Sequence, residues 1–220
     1  MITRRRITCC ILSLLVSSCS LLSGPSPERL VKVKVLADPR IRQVNSLWRD
    51  EVERKFEAAA DFFDREFGIR LVAKVIHPWA LEERIASTSE LLRILKKQVP
   101  LADPSGSFDL IIGFTALPGR ISPGHARVDE IGNCRDGLGN YIAISATDSL
   151  NRVDPDSALA NIDVLTLIHE LGHIFGAEHV DNHNSIMSVH FKPFSDFDRK
   201  NREIILKNKF CAFKQPSPSP

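Results

Sequence analysis

His169-Glu170-Leu171-Gly172-His173-Ile174-Phe175-Gly176-Ala177-Glu178-His179 is the stretch from which the rest of the chain is read, and its fixed positions spell H-E-x-x-H-x-x-G-x-x-H. On a helix, His169 and His173 are four residues apart and project from one face, one turn above the other. Two imidazoles so placed can hold one Zn²⁺, and Glu170 beside the first is positioned to take a proton from water at that metal. A third ligand on the next helical turn would lie too far along the axis, so the helix has to stop. Gly176 supplies the stop, because glycine enters the left-handed backbone region without steric cost. His179 then swings back towards the metal. Three neutral imidazoles leave open the fourth position that a catalytic zinc needs and a structural zinc lacks. Chance alone places this pattern in a chain of this length with a frequency on the order of 10⁻⁵ to 10⁻⁴.

Downstream, Ser185-Ile186-Met187-Ser188 adds an independent element. The long histidine motif followed by a methionine turn resembles the signature of the metzincin clan of zinc endopeptidases. The resemblance is specific from about Asn161 to Ser188 and extends in layout over most of the chain. It implies an α/β (α+β) zincin with a twisted, mostly parallel sheet, a long active-site helix, a methionine turn and a C-terminal helix. It also implies that Met187 forms an apolar floor beneath the histidines. Within the clan the chain looks matrixin- or adamalysin-like. Val180, directly after the third histidine, matches neither the serine of matrixins, the aspartate of the adamalysin group nor the glutamate of astacins. Some metzincins carry a tyrosine ligand two residues after the methionine; here that residue is Val189, and the one tyrosine, Tyr141, lies far upstream.

The flanking sequence reads accordingly. Leu30 to Leu36 alternates apolar and basic residues, which predicts a strand, and Ile69 to Ile76 predicts a second. Between them, Val44 to Phe67 has apolar residues at helical spacing and ends at Gly68. Ser89 to Val99 predicts a further helix, closed by Pro100. Phe108 to Phe114 is a near-continuous apolar run, as in a strand buried on both faces. Tyr141 to Ser145 predicts a last strand, with a weaker one before it from His125 to Ile131. The motif helix is expected to start near Asp156 or Ser157 and to pack one side, Leu159, Ile162, Leu165, Ile168, Leu171 and Phe175, against the sheet. Asp196 to Phe210 predicts a final helix. Strands alternating with helices imply parallel pairing through right-handed crossovers.

The beginning of the chain reads as an export segment, residues 1–18. Arg4-Arg5-Arg6 is a basic region and Ile11 to Val16 an apolar one too short to span a bilayer. Val16-Ser17-Ser18-Cys19 resembles a bacterial lipobox, which makes Cys19 the expected lipidation site; an ordinary cleaved signal peptide is the other reading. Ser20, rather than aspartate, after that cysteine favours the outer membrane, so a lipid-anchored protein of the bacterial cell envelope is expected. Residues 19–29 form a polar tether, 30–214 the catalytic domain, and 215–220 a proline-punctuated tail. Loss of residues 1–18 takes three arginines and no acids from 29 basic and 27 acidic residues, leaving a net charge of about −1. So neutral a surface argues against nucleic acid as a partner.

Of five cysteines, Cys9 and Cys10 lie in the export segment and Cys19 directly after it. The remaining pair, Cys134 and Cys211, is a disulfide candidate in an oxidising compartment, with two buried thiols as the alternative. Adamalysin-like domains place a bridge at similar positions. His183 and His190 flank the methionine turn, where they either reach metal or substrate or are solvated. Phe191 and Phe194 either wall a substrate pocket or pack the lower part of the domain. The function expected is a monomeric zinc endopeptidase with one catalytic Zn²⁺ held by His169, His173 and His179. Its substrate would be peptide or protein, added as a strand beside the His125–Ile131 edge, and its contact with the membrane would be through lipid. The alternative is a non-catalytic zinc-binding surface lipoprotein; Glu170, which such a protein would not need, separates the two.

Overall fold

Residues 29–37 alternate in burial and then bury continuously, and the strand they form, β1 (Arg29–Ala37), lies inside a five-stranded sheet. The computed structural model describes residues 28–44, 46–81, 87–104, 106–116, 126–146 and 161–215. The export segment, Cys19 and the tether up to residue 27, together with His125, Asp156, Ser157, Leu159 and residues 216–220, lie outside the described residues. After β1 the chain runs through α1 (Pro39–Val44), α2 (Trp48–Phe67), β2 (Ile69–Pro78) and α3 (Thr88–Gln98). Then follow β3 (Ala102–Asp103), β4 (Gly106–Ser107), β5 (Leu110–Thr115), β6 (Ala126–Val128), β7 (Tyr141–Ser145), α4 (Ile162–Ile174) and α5 (Arg199–Asn208).

The sheet order is β2-β1-β5-β7-β6. The β1–β2, β1–β5 and β5–β7 pairings are parallel, and β6 adds antiparallel to β7 at the edge. The fold is thus mixed α/β with a mostly parallel sheet. Period-two alternation sorts its faces. Val31, Val33, Leu110, Ile112, Ile142 and Ile144 join one core with Phe56 and Phe63 of α2 and Leu165 and Ile168 of α4. On the other face, Ile111, Tyr141 and Ala143 pack with Leu91, Ile94 and Leu95 of α3. Both faces of β5 are covered, which is why its sequence is a continuous apolar run.

Several boundaries differ from expectation. The helix expected over 44–67 begins at Trp48, and a separate short helix, α1, precedes it. The Asp38 carboxylate accepts from the backbone N–H groups of Arg40 and Ile41, and Pro39 occupies the first helical position. The β3–β4 hairpin has no sequence signal, because two residues per strand leave no periodicity. The motif helix starts at Ile162 rather than near 156. Asn161 is extended, and its side chain accepts from the N–H groups of Asp163 and Val164, which caps the helix there. Nor does α4 bury one side only: every residue from Asp163 to Ile174 is buried. An ion pair locks it to α2, with Lys55 Nζ 2.6 Å from Asp163 Oδ2 and both side chains 2 % exposed. The expected final helix shortens to Arg199–Asn208, capped by Asp198.

Cys134, in the loop after β6, and Cys211, after α5, are joined by a disulfide with a Cα–Cα separation of 5.0 Å. The bond closes a loop spanning 77 residues. In the chain-entropy view it contributes up to about 4.5 kcal/mol by restricting the unfolded chain. Reduction is expected to lower the midpoint of chemical denaturation accordingly. An unchanged midpoint with both thiols shown free would mean that the native contacts around α5 suffice.

Candidate metal centre

Helix α4 places His169 and His173 on one face, and the chain after it returns His179 to them. The three Nε2 atoms form a triangle with each side 3.1 Å. Tetrahedral ligands at about 2.0–2.1 Å from a zinc ion are separated by about 3.3–3.4 Å, so the triangle is close to the size such an ion requires.

The hydrogen bonds behind the rings fix where the protons are. His169 Nδ1 lies 2.6 Å from the Ile186 carbonyl, and His173 Nδ1 lies 2.7 Å from the Ala177 carbonyl. A carbonyl only accepts, so both Nδ1 atoms carry hydrogen and both Nε2 atoms present lone pairs. Lone pairs 3.1 Å apart repel one another and suit a shared cation. Burial pushes His169 down to about 3 and His173 down to about 4, each also lowered by a neighbouring histidine. Partial burial lowers His179 as well. The triad is therefore neutral at ordinary pH, as metal ligands must be. Among the described residues, His169, His173 and His179 form the one cluster able to hold a metal ion.

Glu170 is 7 % exposed and lines a cleft of about 600 Å³ together with the three histidines. Burial pushes its carboxyl up to about 8, against the attraction of the Arg127 guanidinium. A carboxyl so poised near neutrality can accept a proton and release it again. Edge strand β6 forms part of the cleft wall through Ala126, Arg127 and Val128.

Gly176 has φ +95°, in the left-handed region, directly after the helix end. Met187 is fully buried, and its Sδ is 2.9 Å from where a Cβ on Gly172 would sit; Phe197 Cε1 is 2.8 Å from the same point. Gly172, an unassigned position of the motif, is therefore needed for close approach of the methionine turn. That requirement is invisible until the turn is seen against the helix. The turn also holds His169, since Ile186, whose carbonyl orients that ring, immediately precedes Met187.

The two phenylalanines part company. Phe191 lines the cleft, with its ring centroid 5.5 Å from that of His169, whereas Phe194 is 68 % exposed at φ +62° and neither lines the cleft nor joins the core. His190 lines the cleft and His183 stands beside it, ring centroids 6.2 Å apart, both outside the triad. Tyr141 donates its hydroxyl to the Val99 carbonyl on the far face of the sheet.

No protein-family model and no curated protein sequence matches the chain. Among solved structures, it is similar to an archaemetzincin from Methanopyrus kandleri, with a TM-score of 0.52 and 20 % sequence identity. The match covers 81 % of this chain and 95 % of that one. The likeness is one of fold: a zincin-like α/β arrangement.

Proposed function

We propose that the protein is a zinc-dependent endopeptidase of metzincin type in which His169, His173 and His179 hold the metal and Glu170 is the general base. The observation that carries this reading is the triangle of Nε2 atoms, two of them compelled by backbone carbonyls to present lone pairs, beside a buried carboxyl in an open cleft. The fold likeness to an archaemetzincin supports it. A zinc ion, when bound, supplies the Lewis acidity that makes water nucleophilic near neutral pH and polarises the scissile carbonyl.

The chain supplies the rest. An extended peptide adds along β6, whose outer edge has no strand partner among the described residues, and is thereby aligned across the triad. Glu170 accepts a proton from the attacking water as its oxygen bonds to the carbonyl carbon. It then delivers that proton to the amide nitrogen as the C–N bond breaks, leaving a carboxylic acid and an amine, and the water's second proton passes from the acid to the amine to give carboxylate and ammonium. Phe191 sets its ring beside that of His169, on the wall of the cleft. A purely zinc-binding role would leave the cost of burying the Glu170 carboxyl without return.

Incubated with a peptide library, the zinc-loaded protein is expected to cleave internal bonds, to stop after chelation, and to resume when one equivalent of zinc is returned. The variant with alanine at positions 169, 173 and 179 is expected to retain no zinc. A library left intact by the zinc-loaded protein overturns the peptidase reading, and undiminished zinc in the triple variant overturns the ligand set.

We also propose that Cys19 is acylated and that the protein is anchored on a bacterial envelope membrane, on the order of residues around Val16-Ser17-Ser18-Cys19. Among the described residues no helix is long and apolar enough to cross a membrane. Intact mass measurement is expected to find a mature chain that begins at lipid-modified Cys19; an unmodified terminus elsewhere removes the anchor.

A further inference from the structure

His169 and His173 are each oriented by a carbonyl on Nδ1, but among the described residues no carbonyl accepts from Nδ1 of the exposed His179. Its position rests on the backbone that carries it. The first part of that backbone is held by α4 itself: the N–H groups of Phe175, Gly176 and Ala177 donate back to carbonyls of residues 171–173. Beyond Ala177 the helix offers nothing further; after His179 the Val180 N–H donates to the Met187 carbonyl at 3.1 Å, and before it α5 takes over.

Asn201 is fully buried, and its side chain grips both main-chain polar groups of Glu178, the residue before His179. Oδ1 accepts from Glu178 N–H at 2.8 Å, and Nδ2 donates to the Glu178 carbonyl at 3.0 Å. The other Nδ2 hydrogen goes to Asp198 Oδ2 at 2.8 Å. These three partners allow one orientation of the amide, since a flipped group would set NH₂ against N–H and oxygen against two acceptors. Two turns along the same helix face, Asn208 Nδ2 donates to the Phe175 carbonyl at 3.0 Å. Asp198 in turn accepts from Ser185 Oγ at 2.7 Å, and that oxygen accepts from Met187 N–H at 3.1 Å. One polar network therefore spans the turn that carries His179 and the turn whose Ile186 carbonyl orients His169.

We propose that Asn201 is the positioning residue of the third metal ligand, with Asn208 as a second anchor. In this arrangement a clamp on the main chain replaces the Nδ1 partner that the other two ligands have. The inference rests on the metal reading above and assigns α5 a task within it.

The test measures zinc affinity by competition with a chromogenic chelator, together with the visible absorption of the cobalt-substituted protein. Asn201→Leu keeps the branch at Cγ and removes both hydrogen-bonding groups; Asn208→Leu removes the second anchor; Ile205→Val perturbs the buried face of α5 while leaving these hydrogen bonds in place. Zinc binding is expected to weaken about 10–100-fold in Asn201→Leu, the usual effect of losing an outer partner of a metal ligand, with an altered cobalt spectrum and unchanged far-ultraviolet circular dichroism. Asn208→Leu should weaken it less, and Ile205→Val should lower the melting temperature while leaving affinity and spectrum as they were. Wild-type affinity in folded Asn201→Leu overturns the inference, as does an equal loss in Ile205→Val. Should Asn201→Leu fail to fold, Asn208→Leu decides by the same criterion: weakened zinc binding supports the clamp and wild-type affinity overturns it. Failure of the unaltered protein to bind zinc would instead overturn the metal reading, and this inference with it.

Discussion

Glu170→Gln is expected to lower peptide hydrolysis by roughly 10²–10⁴-fold while leaving zinc content and melting temperature close to those of the unaltered protein. The two side chains have the same shape, so the packing around this 7 %-exposed residue is preserved. Glutamine is neutral and carries no buried charge, so the change does not cost stability through desolvation. What it loses is the capacity to take a proton from water and pass it to the leaving amine. The measurement pairs steady-state cleavage of the best library peptide with metal analysis of the same preparation. Retained turnover with retained zinc would assign the base to another group. Lost turnover with lost zinc would make Glu170 a structural part of the metal site.

Gly176→Ala is expected to cost a large part of the stability. Its φ of +95° is one that side chains rarely adopt, and a Cβ there would lie 2.4 Å from Asn208 Nδ2 and 2.5 Å from the Gly132 carbonyl oxygen. Backbone strain of about 1–3 kcal/mol and overpacking of about 1–3 kcal/mol together give a loss of roughly 2–6 kcal/mol. Against a total stability of about 5–15 kcal/mol, that is a large fraction. Gly106 offers the comparison: φ is +136°, and a Cβ would meet nothing within 4 Å. Gly106→Ala should therefore show the strain alone. Urea denaturation of both variants separates the two contributions, and equal losses would mean that Asn208 and the Gly132 loop give way freely. The collision also displaces Asn208 from the Phe175 carbonyl, so zinc affinity should fall in the Gly176 variant and not in the Gly106 variant.

What could be read from the chain without its fold was whatever depends on near neighbours in sequence. The four-residue spacing of His169 and His173, the left-handed stop at Gly176 and the return of His179 follow from helix geometry and glycine sterics. Strands β1, β5 and β7 follow from alternation or from continuous apolarity, and the pairing of Cys134 with Cys211 from there being two cysteines in the domain. Capping was less legible: several residues before Ile162 qualify as caps by type, and the backbone at Asn161 settles which one serves. Only the tertiary structure decided the roles that depend on neighbours distant along the chain. Phe191 and Phe194 look alike in sequence, yet the path of one loop lays the first against His169 and turns the second to solvent. Gly172 is an ordinary helical position until Met187 and Phe197 occupy the space of its side chain. Asn201 reads as a polar residue on an exposed helix until α5 packs it beneath Glu178, 23 residues away. A local rule fixes the direction in which a side chain points, and only the packing of one element on another determines what it meets there.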